Sequence, residues 1–219
     1  MQCAPVSDVS GTRLWRGLLP ALLCERWRAA FEPPRDGPRP ATGWPVPAAS
    51  VLQALAATPL AADLRAALGP APTCRLDFSH ARHARPPHVW HQDGALRHDF
   101  QAHAGRPAPE DSLLQMRTVW IALTPCGVDA PSLEWLTADM HGLLTPSELT
   151  DAVLVARHGP ASRQQAVLAP GDALCFDGAL LHRTHHTAAM THPRTSLELR
   201  YFPTRGLHPR LGAGPARCL

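Results

Sequence analysis

His91-Gln92-Asp93, His182 and Arg194-Thr195-Ser196 are the residues of this chain whose types and spacing suit chemistry. His91 and Asp93 follow Val89-Trp90 and precede Gly94, which places them at the end of an extended run where the chain turns. Residues two apart in an extended segment face the same side, so an imidazole and a carboxylate there can converge on one ion. His182 arrives from far along the chain, after a turn at Pro170-Gly171-Asp172, an apolar run from Ala173 to Phe176 and a second turn at Asp177-Gly178. Two histidines and one carboxylate from distant strands make a ligand set that suits Fe(II) and leaves three coordination positions open for reactants. Arg194 and Ser196 share one face of an alternating strand with Glu198 and Arg200. A guanidinium and a hydroxyl so placed can grip a carboxylate, the guanidinium bidentately, as the C5 carboxylate of 2-oxoglutarate requires.

The elements that must position these residues fall into two parts. Pro20 opens a helix over Ala21 to Phe31, where Leu22, Leu23, Trp27 and Phe31 recur near helical spacing. Pro33 to Pro47 is rich in proline and reads as a loop or arm. Ser50 caps a further helix through about Ala57, and Leu60 to Leu68 makes another, closed by Gly69-Pro70. From Cys74 onward, short apolar runs separated by Gly, Pro and His predict antiparallel strands. These are Cys74 to Phe78, Val89 to Gln92, Leu113 to Leu123, Leu133 to Leu136, Val153 to His158, Gln165 to Leu168, Ala173 to Phe176, Leu180 to His182 and Thr195 to Phe202. The expectation is a single domain over 1–219, mainly β with flanking α, with a helical part at about 14–70 and a β core, a sandwich or barrel, at about 73–203.

Composition narrows the function class. Twenty-one Lys plus Arg against 18 Asp plus Glu give a net charge of +3 without a basic run, so no nucleic-acid partner is implied. Thirteen histidines are the oddity, because His is the commonest neutral nitrogen ligand for transition metals. The six cysteines form no C-x-x-C pair and no signal-peptide-like stretch precedes them, which predicts a cytoplasmic protein with free thiols. No apolar run approaches the roughly 20 residues that span a bilayer, so no membrane span is expected. Oligomeric state is not legible.

Taken in order, these motifs resemble the phytanoyl-CoA dioxygenase family of Fe(II)/2-oxoglutarate-dependent oxygenases. His-Gln-Asp, the Trp-centred run Val119-Trp120-Ile121-Ala122-Leu123, Gly171-Asp172, an apolar strand, His182 and Arg-x-Ser cover about Leu76 to Phe202 in the family's order. Arg16-Gly17-Leu18-Leu19-Pro20 looks like the family's opening. The resemblance implies a double-stranded β-helix, a jelly roll or cupin-like barrel with N-terminal helices packed outside. It implies His91, Asp93 and His182 as iron ligands, with Gln92, Trp120, Thr184 and Arg194 lining the 2-oxoglutarate pocket and Ser196 joining them. It also selects His182 over His185 and His186 by its spacing from Gly171-Asp172. The sequence departs from the family between Ala130 and His141, where the usual Pro-Gly turn is missing.

The activity so implied is a dioxygenase consuming 2-oxoglutarate and O2, releasing succinate and CO2 and hydroxylating a C–H bond of a small-molecule substrate. Retention of Asp93 argues against halogenation. Three other readings stay open on the residues: a cupin-like isomerase or 2-oxoglutarate-independent dioxygenase, a Zn(II) hydrolase, and a barrel that binds without catalysis. Arg200 and Glu198 read as a buried pair on the cavity face.

Overall fold

The structure is a computed structural model that describes residues 5–9, 11–31, 48–83, 86–102, 105, 113–138, 140–204 and 208–219. Along the chain run β1 (Pro5–Val9), β2 (Thr12–Trp15), α1 (Ala21–Phe31), α2 (Ala48–Ala56), α3 (Pro59–Leu68), β3 (Thr73–Arg75), β4 (His80–His83), β5 (Arg117–Ala122), β6 (Ser132–Leu136), α4 (Asp151–His158), β7 (Arg163–Gln165), β8 (Ala173–Asp177), β9 (His182–His185), β10 (Thr195–Phe202) and β11 (Ala216–Cys218). The loop expected at Pro33 to Pro47 lies outside the described residues.

The strands form two antiparallel sheets of a jelly roll. The larger is ordered β1-β2-β8-β5-β10-β3-β11, with β4 also pairing β10; the smaller is β7-β6-β9. Period-two alternation gives the central strands two different faces. Val119 and Ile121 of β5, with Leu197, Leu199 and Tyr201 of β10, pack against Trp27, Val51, Leu55, Leu60 and Leu64 of the helices. Trp120 and Ala122, with Leu174 and Phe176 of β8, face the other way and meet Leu133 of the small sheet. Site residues therefore sit between the sheets, while the helices brace the back of the large one.

Helices of nine and ten residues, α2 and α3, are too short to hold by propensity alone. Val51, Leu55, Leu60 and Leu64 are at most 1% exposed, and burying each side chain contributes about 1.5–3 kcal/mol. No single described helix is long and apolar enough to cross a membrane; α2 and α3 together pass on composition but bend by 92° at their junction. Within α1, Cys24 and Trp27 carry the buried stripe, and Leu22 is 76% exposed rather than part of it.

Several expected elements change type or extent. Val153 to His158 belongs to the helix α4, not a strand. The Val153 N–H donates to Thr150 Oγ1 at the start, and Gly159 closes the end with φ 76°. The apolar Val-Leu-Val run therefore lies on a capped helix that buries Leu154. Ser50 lies inside α2 rather than capping it. The strand begun at Cys74 stops at Arg75, whose fully buried guanidinium donates to the Asp77 carboxylate at 2.9 and 2.7 Å and folds Leu76–Phe78 into a 3-10 turn. β1, β2, β4 and β11 were not expected; three of them extend the large sheet beyond 73–203.

Gly171-Asp172 locks the N-terminal segment onto this sheet. Asp172 accepts from Arg16 Nη1 at 2.6 Å and from the Gly17 N–H at 2.7 Å. Gly171 has φ 91°, and a side chain there would lie 2.1 Å from the Leu19 carbonyl oxygen. The Gly-Asp pair is thus structural, joining the turn before β8 to the segment that leads into α1.

Candidate metal centre and co-substrate pocket

His91 and His182 face each other through a two-way backbone bridge, each N–H donating to the other's carbonyl, at 2.9 and 3.1 Å. The strand expected at Val89 to Gln92 reduces to this bridge and to the Thr184 N–H donating to the His88 carbonyl at 3.0 Å. β9 likewise begins at His182 rather than ending there. Asp93 starts a 3-10 turn, and Gly94 next to it donates to the Gly178 carbonyl at 2.8 Å. A side chain on Gly94 would lie 2.8 Å from that same oxygen, so only glycine lets the two turns close on each other.

The result is one cluster. One ligand atom each from His91, Asp93 and His182 lies within 4.8 Å of the other two. His91 Nδ1 is 2.7 Å from the Val89 carbonyl oxygen and His182 Nδ1 is 3.0 Å from that of Leu180. A carbonyl can only accept, so both rings carry their proton on Nδ1 and present the Nε2 lone pair. Burial pushes the His91 imidazole down to about 4, and burial lowers His182 as well, so both are neutral donors near pH 7. Burial would raise the Asp93 carboxyl, but the Arg200 guanidinium beside it overrides that and holds it well below the usual carboxylate range. Two neutral imidazoles and an ionised carboxylate, oriented from behind, are the donor set a divalent iron needs.

Asp93 has partners that the sequence reading missed. Arg200 Nη2 donates to its Oδ1 at 2.9 Å and Arg200 Nε to its Oδ2 at 3.1 Å, while Thr118 Oγ1 donates to Oδ2 at 2.6 Å. Arg200 is therefore not chiefly the partner of Glu198, which lies 3.7 Å from it and is ion-paired with Arg82 at 2.7 Å. Thr118 and Arg200 stand opposite each other in the β5–β10 register.

Arg194 lines the same pocket from the other end. It is 8% exposed, its Nη1 donates to the Ser132 carbonyl at 3.3 Å, and its guanidinium lies 5.3 Å from the Trp120 ring centroid. Among the described residues no carboxylate comes within ion-pair distance of it. Trp120 and Thr184 line the pocket, with Leu133 and Phe176 as its apolar wall and His88 and Arg82 also in the lining. Ser196 is fully buried on the face of β10 that bears Glu198 but does not itself line the pocket, and among the described residues neither its Oγ nor Trp120 Nε1 has a hydrogen-bond partner.

Gln92 departs from its expected place. Its Nε2 donates to the carbonyls of Gly142 and Ala179 at 3.0 and 2.7 Å, and its Oε1 accepts from the Leu144 N–H at 2.7 Å. Successive residues of an extended run face opposite ways, so flanking by His91 and Asp93 turns Gln92 away from the cluster. It pins the segment after His141, where the usual Pro-Gly turn is absent.

Residues 9–192 match the phytanoyl-CoA dioxygenase (PhyH) family. The chain belongs to that family. Its fold is shared with several solved structures. HygX from Streptomyces hygroscopicus with nickel and 2-oxoglutarate bound is 17% identical, with a TM-score of 0.63 over 92% of this chain and 85% of that one. EctD from S. alaskensis with 2-oxoglutarate and 5-hydroxyectoine is 18% identical, with a TM-score of 0.62 over 90% of this chain and 73% of that one. SnoN from nogalamycin biosynthesis, a non-heme alpha ketoglutarate dependent epimerase, is 17% identical, with a TM-score of 0.57 over 95% and 89%. No curated protein sequence matches the chain. Membership makes this an Fe(II)/2-oxoglutarate-dependent oxygenase of the PhyH type, mostly β with antiparallel sheets.

Proposed function

We propose that this chain hydroxylates an unactivated C–H bond of a small-molecule substrate, using Fe(II), 2-oxoglutarate and O2 and releasing succinate and CO2. His91, Asp93 and His182 would hold the iron, and Arg194 would receive the C5 carboxylate of 2-oxoglutarate. The whole of 1–219 would act as one oxygenase domain, and the five described free cysteines suit a reducing, cytoplasmic setting.

The observation that carries this reading is Arg194. A buried guanidinium without a carboxylate is costly unless an anion completes it. It lines the same pocket as the three-ligand cluster, where a bound iron would keep positions for reactants. That pairing favours a dicarboxylate co-substrate over the cupin-like, zinc-hydrolase and non-catalytic readings, none of which needs a buried anion anchor at this place.

When bound, iron with 2-oxoglutarate supplies the oxidising power for O2 chemistry. The chain's own residues bind and orient. The Nδ1 contacts to Val89 and Leu180 fix both imidazoles, and Arg200 with Thr118 fixes Asp93. Trp120 Nε1 offers a donor in the pocket beside Arg194, Ser196 Oγ would add one from the same face of β10, and Leu133 and Phe176 would exclude water from the co-substrate's carbon chain. Arg82 and His88 leave the substrate a polar approach.

An anaerobic titration of metal-free protein with Fe(II) and then 2-oxoglutarate tests the reading through the visible charge-transfer band of the chelated co-substrate. The band is expected in the wild type and not in Arg194→Ala at the same 2-oxoglutarate concentration. Iron binding without any band would return the cupin-like reading.

A further inference from the structure

The two oxygens of Asp93 are not equivalent. Oδ2 accepts from both Thr118 Oγ1 and Arg200 Nε, at 2.6 and 3.1 Å. Oδ1 accepts only from Arg200 Nη2, at 2.9 Å, and lies 4.0 Å from His91 Nε2. A carboxylate oxygen offers about two lone-pair directions. Oδ2 is filled, and Oδ1 keeps one direction, on the histidine side. Arg200 is itself immobilised: its Nη1 donates to the Phe78 carbonyl at 2.6 Å and its backbone N–H donates to Ser79 Oγ at 3.2 Å. It is 5% exposed.

We propose that Arg200 is the positioning residue of the metal site, a resident cation that holds the Asp93 carboxylate aimed before any metal arrives and leaves Oδ1 as the single oxygen for it. The inference rests on the metal-binding reading above. It has two opposed consequences. The metal-free protein folds around a neutralised carboxylate, since an isolated buried carboxylate would be costly. The incoming dication meets a fixed positive charge behind its ligand, so it binds less tightly than the same three ligands would hold it alone. Glu198, 3.7 Å from Arg200 and itself paired with Arg82, offsets part of that charge. Asp93, Arg200, Glu198 and Arg82 thus alternate in sign along the pocket wall, and Arg200 and Glu198 act on the metal in opposite senses.

Arg200→Gln and Glu198→Gln separate this role from a merely structural one. Both are compared with the wild type by Co(II) titration, followed by the cobalt d–d absorption, and by the melting midpoint with and without saturating Co(II). Arg200→Gln is expected to melt several degrees lower without metal, to gain more than the wild type on adding Co(II), and to bind Co(II) about tenfold more tightly. Glu198→Gln is expected to bind Co(II) a few-fold more weakly, because Arg200 then repels it unopposed. Arg200→Gln that folds only when Co(II) is present supports the proposal equally. An equal drop in the melting midpoint with and without Co(II), at unchanged affinity, overturns it. If Arg200→Gln fails to fold under either condition, Glu198→Gln decides: weaker Co(II) binding sustains the proposal and unchanged binding overturns it. A wild type that binds no Co(II) removes the metal reading itself, an outcome distinct from all of these.

Discussion

The two ends of the pocket are built in opposite ways. Around Asp93, every oxygen has a donor from the protein, supplied by Arg200 and Thr118 across one strand pair. At the Arg194 end the guanidinium has one 3.3 Å contact to a main-chain carbonyl, and among the described residues Trp120 Nε1 in the same pocket and Ser196 Oγ two residues along the chain have no hydrogen-bond partner. Buried polar groups are ordinarily satisfied within the protein, so a cluster of unmet donors marks where a ligand completes the structure. The Asp93 end is finished without its metal. The Arg194 end is finished only by an anion from outside.

That contrast is broken most severely by removing a charge from each end. Asp93→Ala leaves Arg200 buried without its carboxylate, so the variant should lose about 3–5 kcal/mol of stability as well as its metal. Denaturant unfolding of the metal-free protein measures this directly. Stability equal to the wild type would mean that the Arg200 contact carries no weight and that the two ends do not differ.

Arg194→Met is the mirror experiment. It removes a buried cation that has no ion-pair partner among the described residues, so the metal-free protein should become more stable, by about 1–3 kcal/mol, rather than less. The 2-oxoglutarate requirement should rise roughly a hundredfold, because an anchored carboxylate loses its charge-assisted pair. A variant with unchanged 2-oxoglutarate kinetics would sink the anchoring role. One that lost stability as Asp93→Ala does would show that Arg194 already has a partner.

The two ends also differ in how far the sequence disclosed them. Arg194 with Ser196, and His91 with Asp93, are pairs two residues apart, and strand periodicity alone puts each pair on one face. His182 follows from the turn-strand-turn pattern before it. Strand periodicity puts Arg200 on the correct face, but it offers Glu198, two residues away on the same strand, as the partner. The true partners, Asp93 and Thr118, require the β5–β10 register and the 3-10 turn at Asp93, which no local pattern encodes. The density of short apolar runs points to antiparallel strands of a sandwich or barrel, and only the family resemblance narrows that to a jelly roll. The mistaken strand at Val153 to His158 arose where a Val-Leu-Val run outweighed Thr150 and Gly159, whose capping roles were equally visible.

Gln92 sharpens the comparison by belonging to neither end. Three main-chain groups, on Gly142, Leu144 and Ala179, use its amide. Gln92→Ala should therefore destabilise the protein by about 1–3 kcal/mol through unmet buried groups while leaving the 2-oxoglutarate concentration dependence unchanged. Protection of the Leu144 amide from hydrogen exchange should fall with it. A changed 2-oxoglutarate dependence at unchanged stability would return Gln92 to the pocket.

Ser196 supplies the finest distinction. Its hydroxyl is fully buried and has no partner among the described residues, so Ser196→Ala should leave the metal-free melting midpoint unchanged or raise it slightly. If the hydroxyl completes the grip on the C5 carboxylate, one hydrogen bond to a charged group is lost from the complex. That loss corresponds to roughly a tenfold weaker 2-oxoglutarate binding, from about 1.5 kcal/mol. The charge-transfer band should then form at higher 2-oxoglutarate but reach the same intensity, because the chelating end of the co-substrate is untouched. Reduced stability with unaltered binding would mean that Ser196 serves the β10 face rather than the anion, and that the unmet donors at this end number two, not three.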